Sequence, residues 1–174
     1  MRYCKKSGHY LARKQLNLPL YRPSRLHSGF VKTASAAKAN DLRVVLDTSV
    51  AANIVLQTQA AAGLVAELEE AQLVLAPTLL HSELANMLWK QVRFAQLSHD
   101  DAISLYHDGI ALVDEFVHDH ELAVQALSLS IRHQHPVYDM LFVALAQRFG
   151  CTLLSVDSKL IAVAKKIDAT LVKN

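Results

Sequence analysis

Cysteine is scarce in this 174-residue chain: only Cys4 and Cys151 occur. Two such thiols give neither a disulfide scaffold nor a metal-ligand spacing, so a reducing, cytoplasmic setting is expected. Long apolar runs are missing as well. The longest, Met140 to Ala146, falls far short of the roughly 20 residues that cross a bilayer. The basic start is not followed by the apolar stretch of about 7 to 15 residues that marks a secretory signal, so no membrane association is expected. Acid is absent where the chain begins. Residues 1–40 hold nine Lys or Arg (Arg2, Lys5, Lys6, Arg13, Lys14, Arg22, Arg25, Lys32 and Lys38) and no Asp or Glu. The rest of the chain carries 9 basic groups against all 16 acidic ones, a net −7. The overall charge of +2 therefore conceals a basic arm on an acidic globule.

What is present is enough apolar material for a core. At 52% hydrophobic and 20% charged, the chain can offset the entropy of ordering, and its length fits one domain. Residues 1–41 lack apolar periodicity and include Pro19 and Pro23, which reads as a poorly ordered extension. Residues 42–174 read as the folded domain. Leu42 to Leu46 and Leu73 to Ala76 are short apolar runs of strand type. Helices are expected over Ser49 to Leu56, Thr58 to Glu70 and Thr78 to Gln96. Further helices are expected from a Ser98–Asp101 capping box to about Glu115, over Glu121 to Arg132, and over Val137 to Phe149 with Gly150 as its C-terminal cap. Cys151 to Val156 reads as a strand, Ser158 to Lys166 as a helix and Ala169 to Val172 as a last strand. Strands alternating with helices imply an α/β fold with a central parallel sheet covered on both faces, which binds ligands at the carboxyl ends of its strands.

Acidic residues sit at those ends. Asp47 and Asp157 each follow an apolar strand directly, where capping of the next helix is the plain alternative. Glu83 lies three residues after Leu80 and four before Met87, on the apolar face of its helix. Asp139 is the only charge between Val137 and Gln147, in a helix apolar nearly all round and hence buried, where Asp needs a partner. Lys90 and Arg148 stand too far along their helices for local pairing, which leaves a long-range basic partner as the structural alternative. If all four acids converge, each pair about 4 Å apart repels by roughly 4 kcal/mol at an effective dielectric near 20. Such terms weigh heavily against a domain stability of about 5–15 kcal/mol, so protons or a cation must join the group. All-oxygen ligation favours Mg²⁺ or Mn²⁺, and the chemistry so implied is metal-assisted phosphodiester hydrolysis.

Four stretches, in order, resemble the PIN-domain ribonucleases, in particular the toxins of VapBC-type toxin–antitoxin pairs. They are Val44 to Val50 (VVLDTSV), Ala76 to Asn86 (APTLLHSELAN), Val137 to Asp139 (VYD) and Leu153 to Leu160 (LLSVDSKL). With their spacing they span about residues 42–173. The resemblance implies a three-layer α/β/α fold, an acidic pocket holding Mg²⁺ or Mn²⁺, and endonucleolytic RNA cleavage leaving a 5′-phosphate and a 3′-hydroxyl. The family's acids fall on Asp47, Glu83, Asp139 and Asp157, its first hydroxyl on Thr48 or Ser49, and a later Thr on Ser155. It further implies a small DNA-binding antitoxin as partner, and homodimers are common among its members.

The arm has no counterpart in that family. Three readings compete for it: translation from an upstream start with true initiation near Leu42 or Val44, a nucleic-acid-binding tail, and a transit peptide. Lys90, Arg93, Arg132 and Lys159 are candidate RNA contacts, with Lys165 and Lys166 as further cations; solvated surface charge is the alternative for each. His118 and His120, like His133 and His135, lack the helical spacing of zinc-enzyme ligands and read as surface loop histidines, with a role for Arg132 to His135 in holding RNA as the alternative. Trp89, if exposed, favours a partner contact. A phosphatase with an aspartyl nucleophile is disfavoured because Ser49 stands where its second Asp belongs. An RNA-processing nuclease without an antitoxin and a catalytically silent PIN-like binding module are the remaining alternatives.

Overall fold

The computed structural model describes residues 42–173; the expectations for residues 1–41 fall outside them. Four parallel strands, β1 (Arg43–Leu46), β2 (Leu73–Pro77), β3 (Glu115–Val117) and β4 (Thr152–Leu154), form one sheet in the order β3-β2-β1-β4. Seven α-helices accompany them among the described residues: α1 (Thr48–Val55), α2 (Ala61–Glu69), α3 (Leu79–Phe94), α4 (His99–Ile110), α5 (Asp119–His133), α6 (Val137–Phe149) and α7 (Ser158–Ile167).

Strand alternation sorts the core into two layers. Val45 pairs in register with Leu75 and Leu153, and this set packs against Met140, Phe142, Ala144, Leu160 and other residues of α5 to α7. The opposite face is covered by α1, α3 and α4, whose buried residues include Val50, Ile54, Leu80, Leu84 and Leu88. Gly109 on α4 makes that second layer tight, since a Cβ there would stand 2.6 Å from Leu84 Cδ2 and 3.3 Å from Val55 Cγ1. The result is the three-layer α/β/α arrangement. None of these helices is long and apolar enough to cross a membrane.

Most expected elements form, with boundary shifts. Helix α2 begins at Ala61 rather than Thr58. Helix α6 spans Val137–Phe149 as anticipated, and Gly150 closes it in the left-handed region at φ 62°. Two expectations are overturned. The helix opened by Ser98, whose hydroxyl accepts from the Asp101 amide at 3.1 Å, stops at Ile110, and the chain then supplies the edge strand β3. Asp114 ties that strand to Val74, its amide donating to Val74 O and its Oδ2 accepting from Val74 N, each at 2.9 Å. At the other end, Ala169–Leu171 is a 3₁₀ turn, not a strand. Asp168 accepts from both the amide and the hydroxyl of Thr170 at 2.8 and 2.7 Å, which curls the chain and tucks Leu171 into the core.

The strand order turns the β1/β4 boundary into the switch point of the sheet. From β1 the chain runs outward through β2 to β3, then returns to add β4 on the other side. Open parallel sheets bind ligands outside the carboxyl ends of the strands that flank such a point.

Candidate active site

Asp47 stands at that place. It follows β1, is only 6% exposed, and its amide is tied to Leu154 O of β4 at 3.0 Å. Its Oδ2 accepts a very short hydrogen bond from the Ser49 hydroxyl, a second from Ser155 Oγ at 2.8 Å, and a third from Ser49 N at 3.3 Å. The last is the capping bond of α1, so capping and the pocket coexist in one carboxylate. Burial nevertheless pushes the Asp47 carboxyl above the usual value, against the pull of these donors.

Glu83 reaches the same region from α3. Leu80, Leu84 and Leu88 bury the stripe it shares, and the half-buried carboxylate accepts from Thr48 Oγ1 at 2.6 Å. Its pKa is raised, first by burial and then by repulsion from Asp47, Asp139 and Asp119. Those causes place four acids in one electrostatic neighbourhood. Asp119 was not foreseen as part of it. Its own carboxylate caps the turn into α3 by accepting from Leu79 N at 2.9 Å, while Thr78 Oγ1 accepts from the Asp119 amide at 3.2 Å.

Asp139 departs from the sequence expectation in two ways. Its helix is buried, but the side chain itself is 33% exposed at the first turn. Its partner is neither Lys nor Arg: His135 Nε2 lies 2.7 Å from Asp139 Oδ2. His135 does lie in the loop between α5 and α6, but its side chain is only 15% exposed and not free at the surface. The signal was the i,i+4 spacing of His135 and Asp139, obscured by the intervening Pro136. His118 and His120 are exposed as expected, with rings stacked at 5.4 Å between centroids.

Asp157 behaves differently. Its exposed carboxylate caps α7, accepting from Lys159 N at 2.7 Å and Leu160 N at 3.2 Å, and it is not among the charges acting on Glu83. It is joined to Asp47 indirectly: the Asp157 amide donates to Ser155 Oγ at 3.0 Å, and Ser155 donates to Asp47. Lys90, Arg93, Arg132 and Lys159 are all exposed, and Arg93 lies over the Phe94 ring at 5.8 Å.

The donor set is all oxygen and acidic, and among the described residues no lysine or arginine pairs with Asp47, Glu83 or Asp139, which fits a hard divalent cation in kind. As the side chains stand, no three His, Cys, Asp or Glu among the described residues form a closed ligand group.

A sequence model of the PIN domain matches residues 44–166. The chain belongs to the PIN-domain family. It is 29% identical over 121 residues to Ribonuclease VapC3 of Pyrobaculum aerophilum, an alignment covering 68% of this chain and 92% of that protein. Two solved structures share the fold. PAE2754 from Pyrobaculum aerophilum superposes with a TM-score of 0.56 at 18% identity, over 71% of this chain and 80% of that one. VapC20 of Mycobacterium tuberculosis, described as a Sarcin-Ricin loop cleaving toxin, gives 0.53 at 20% identity, over 68% and 93%. Every acid and hydroxyl of the cluster, from Asp47 to Asp157, lies inside the span matched as a PIN domain.

Proposed function

We propose that this PIN-domain protein is a Mg²⁺-dependent endoribonuclease, with Mn²⁺ as an alternative ion, and the toxin of a type II toxin–antitoxin pair. In this reading residues 42–174 are the nuclease domain, preceded in the sequence by the basic extension of residues 1–41. The single observation that carries the reading is that Asp47, at the switch point, and Asp139 both repel the half-buried Glu83 carboxylate, while none of the three pairs with a lysine or arginine among the described residues. The likeness to a protein named Ribonuclease VapC3 supports RNA as substrate.

Asp47, Asp139 and Asp157 would hold the ion, with Glu83 as a further ligand or as proton acceptor. When bound, Mg²⁺ supplies charge neutralisation at the phosphate and lowers the pKa of water. The residues of the chain do the positioning. Ser49 and Ser155 fix Asp47 through Oδ2, and Thr48 fixes Glu83 through Oε2. That leaves Glu83 Oε1 free to accept the proton of the attacking water. Lys90, Arg93, Arg132 and Lys159 supply positive charge for the RNA backbone, and cleavage leaves a 5′-phosphate and a 3′-hydroxyl. A cytoplasmic location belongs to the same reading.

Trp89 and Phe94 on α3 are 56% and 76% exposed and meet edge to face at 6.5 Å between centroids. Large exposed aromatics of this kind favour a protein partner, which supports a small DNA-binding antitoxin covering α3; a homodimer would use such a surface too. The deciding experiment incubates purified protein with RNA in Mg²⁺, in excess EDTA, and as Asp47→Asn. Cleavage confined to the first condition is expected. Equal cleavage in EDTA, or by the variant, would overturn the mechanism in favour of a contaminating activity, and no cleavage in any condition would favour the silent binding module.

A further inference from the structure

We infer that His135 is a positioning residue, whose Nε2–H hydrogen bond holds the Asp139 carboxylate in the rotamer that presents Oδ1 for metal binding. The inference rests on the metal-holding role proposed for Asp139. It concerns a residue that no carboxylate pattern picks out.

The ring is fixed from its backbone outward. Helix α5 ends at Gln134, which adopts the left-handed region at φ 51° and turns the chain back on itself. His135 is then clamped at both polar groups of its main chain: its amide donates to Ser130 O at 3.3 Å, and the Ser130 hydroxyl donates a very short bond to His135 O. The following Pro136 keeps His135 out of the helical region, so α6 starts beyond it and Asp139 falls in its first turn. These constraints leave the imidazole one place to go, over the first turn of α6, where it is largely shielded and meets Oδ2 at 2.7 Å.

The consequence is for the other oxygen. Asp139 is one-third exposed, and an exposed Asp samples several rotamers unless something holds it. With Oδ2 taken by His135, Oδ1 makes no protein hydrogen bond among the described residues and stays available to a cation. This is the outer-shell logic of metal sites, in which loss of an orienting partner weakens affinity about 10- to 100-fold.

The test measures Mn²⁺ binding to the full-length protein by calorimetry, without RNA. Wild type, His135→Ala and His135→Gln are compared, because Gln presents an amide donor from the same position. We expect about tenfold or greater weakening in His135→Ala and recovery to within about threefold of wild type in His135→Gln. If His135→Ala does not fold, His135→Phe replaces it under the same criterion, filling the niche without the donor. Affinity within twofold of wild type in the donor-free variant overturns the inference alone, as does a His135→Gln protein no better than it. A wild-type protein that fails to bind Mn²⁺ removes the metal reading beneath it, and the inference with it.

Discussion

Thr48 donates its hydroxyl to Glu83 Oε2 at 2.6 Å, so the residue directly after the Asp47 carboxylate holds the acid of another helix. Replacing that hydroxyl isolates its contribution. Thr48→Val keeps the shape and removes the donor, which raises the Glu83 pKa further and frees its side chain to move. Cleavage is expected to fall about tenfold, less than the roughly 10²–10⁴-fold that a positioned acid–base group contributes, because Glu83 itself remains, and Thr48→Ser should retain most of it. Initial rates at saturating RNA check this. A Thr48→Val enzyme with unchanged kcat would show that the bond is only a packing feature.

The pH dependence of stability follows from two raised carboxyls. Asp47 and Glu83 both sit above their ordinary values of 3.8 and 4.5, so the folded protein holds these protons more tightly than the unfolded chain. Native stability then falls as pH rises from those ordinary values through the raised ones. In metal-free buffer, Asp47→Asn should match wild type at the acid end of that window and exceed it at neutral pH. A gain of 1 kcal/mol at this chain length corresponds to roughly 2–4 °C in Tm. Parallel melts between pH 4 and 7.5 decide the matter; curves that keep a constant offset count against burial as the cause.

Much of this geometry was readable in the chain, and the failures have identifiable causes. Leu42 to Leu46 ending in Asp47 predicted both strand β1 and its capping acid, because an apolar run followed by a carboxylate satisfies local and tertiary demands together. Gly150 was legible for the same reason: the end of an apolar helix and a residue suited to φ 62° coincide there. Strand β3 was hidden because it has only three residues and starts with an exposed Glu115; its identity depends on Asp114 and Val74, forty residues apart. The same holds at the site. The spacing of Glu83 along α3 is a local fact, whereas the lock on Asp139 is set by Ser130 in the helix before it and by Gln134, which closes that helix.

Divalent metal should act on stability through the same acids. An ion that relieves the repulsion around Glu83 binds the native state only, so melting temperature rises with its concentration. At 100 times the dissociation constant the gain is about 2.7 kcal/mol. Mg²⁺ and Mn²⁺ are expected to stabilise wild type, and EDTA to reverse the shift, while Asp47→Asn responds weakly. Equal responses of both proteins would move the bound ion away from Asp47.

Asp157 offers a way to separate a cap from a ligand. Its carboxylate accepts from Lys159 N and Leu160 N at the start of α7, and Asn caps helices about as well as Asp, whereas Ala costs about 1 kcal/mol. Asp157→Asn is therefore expected to melt like wild type, and Asp157→Ala a few degrees lower. Activity should follow charge instead of capping. Both variants lose cleavage to a similar degree, by about tenfold or more, because each removes one of the carboxylates proposed to hold the ion. This is less than the loss in Asp47→Asn, because Asp157 stands outside the group that raises the Glu83 pKa. Melts and cleavage rates on the same preparations give the answer: an Asp157→Asn enzyme with full activity reduces this acid to its cap, and one as dead as Asp47→Asn makes it an equal member of the cluster.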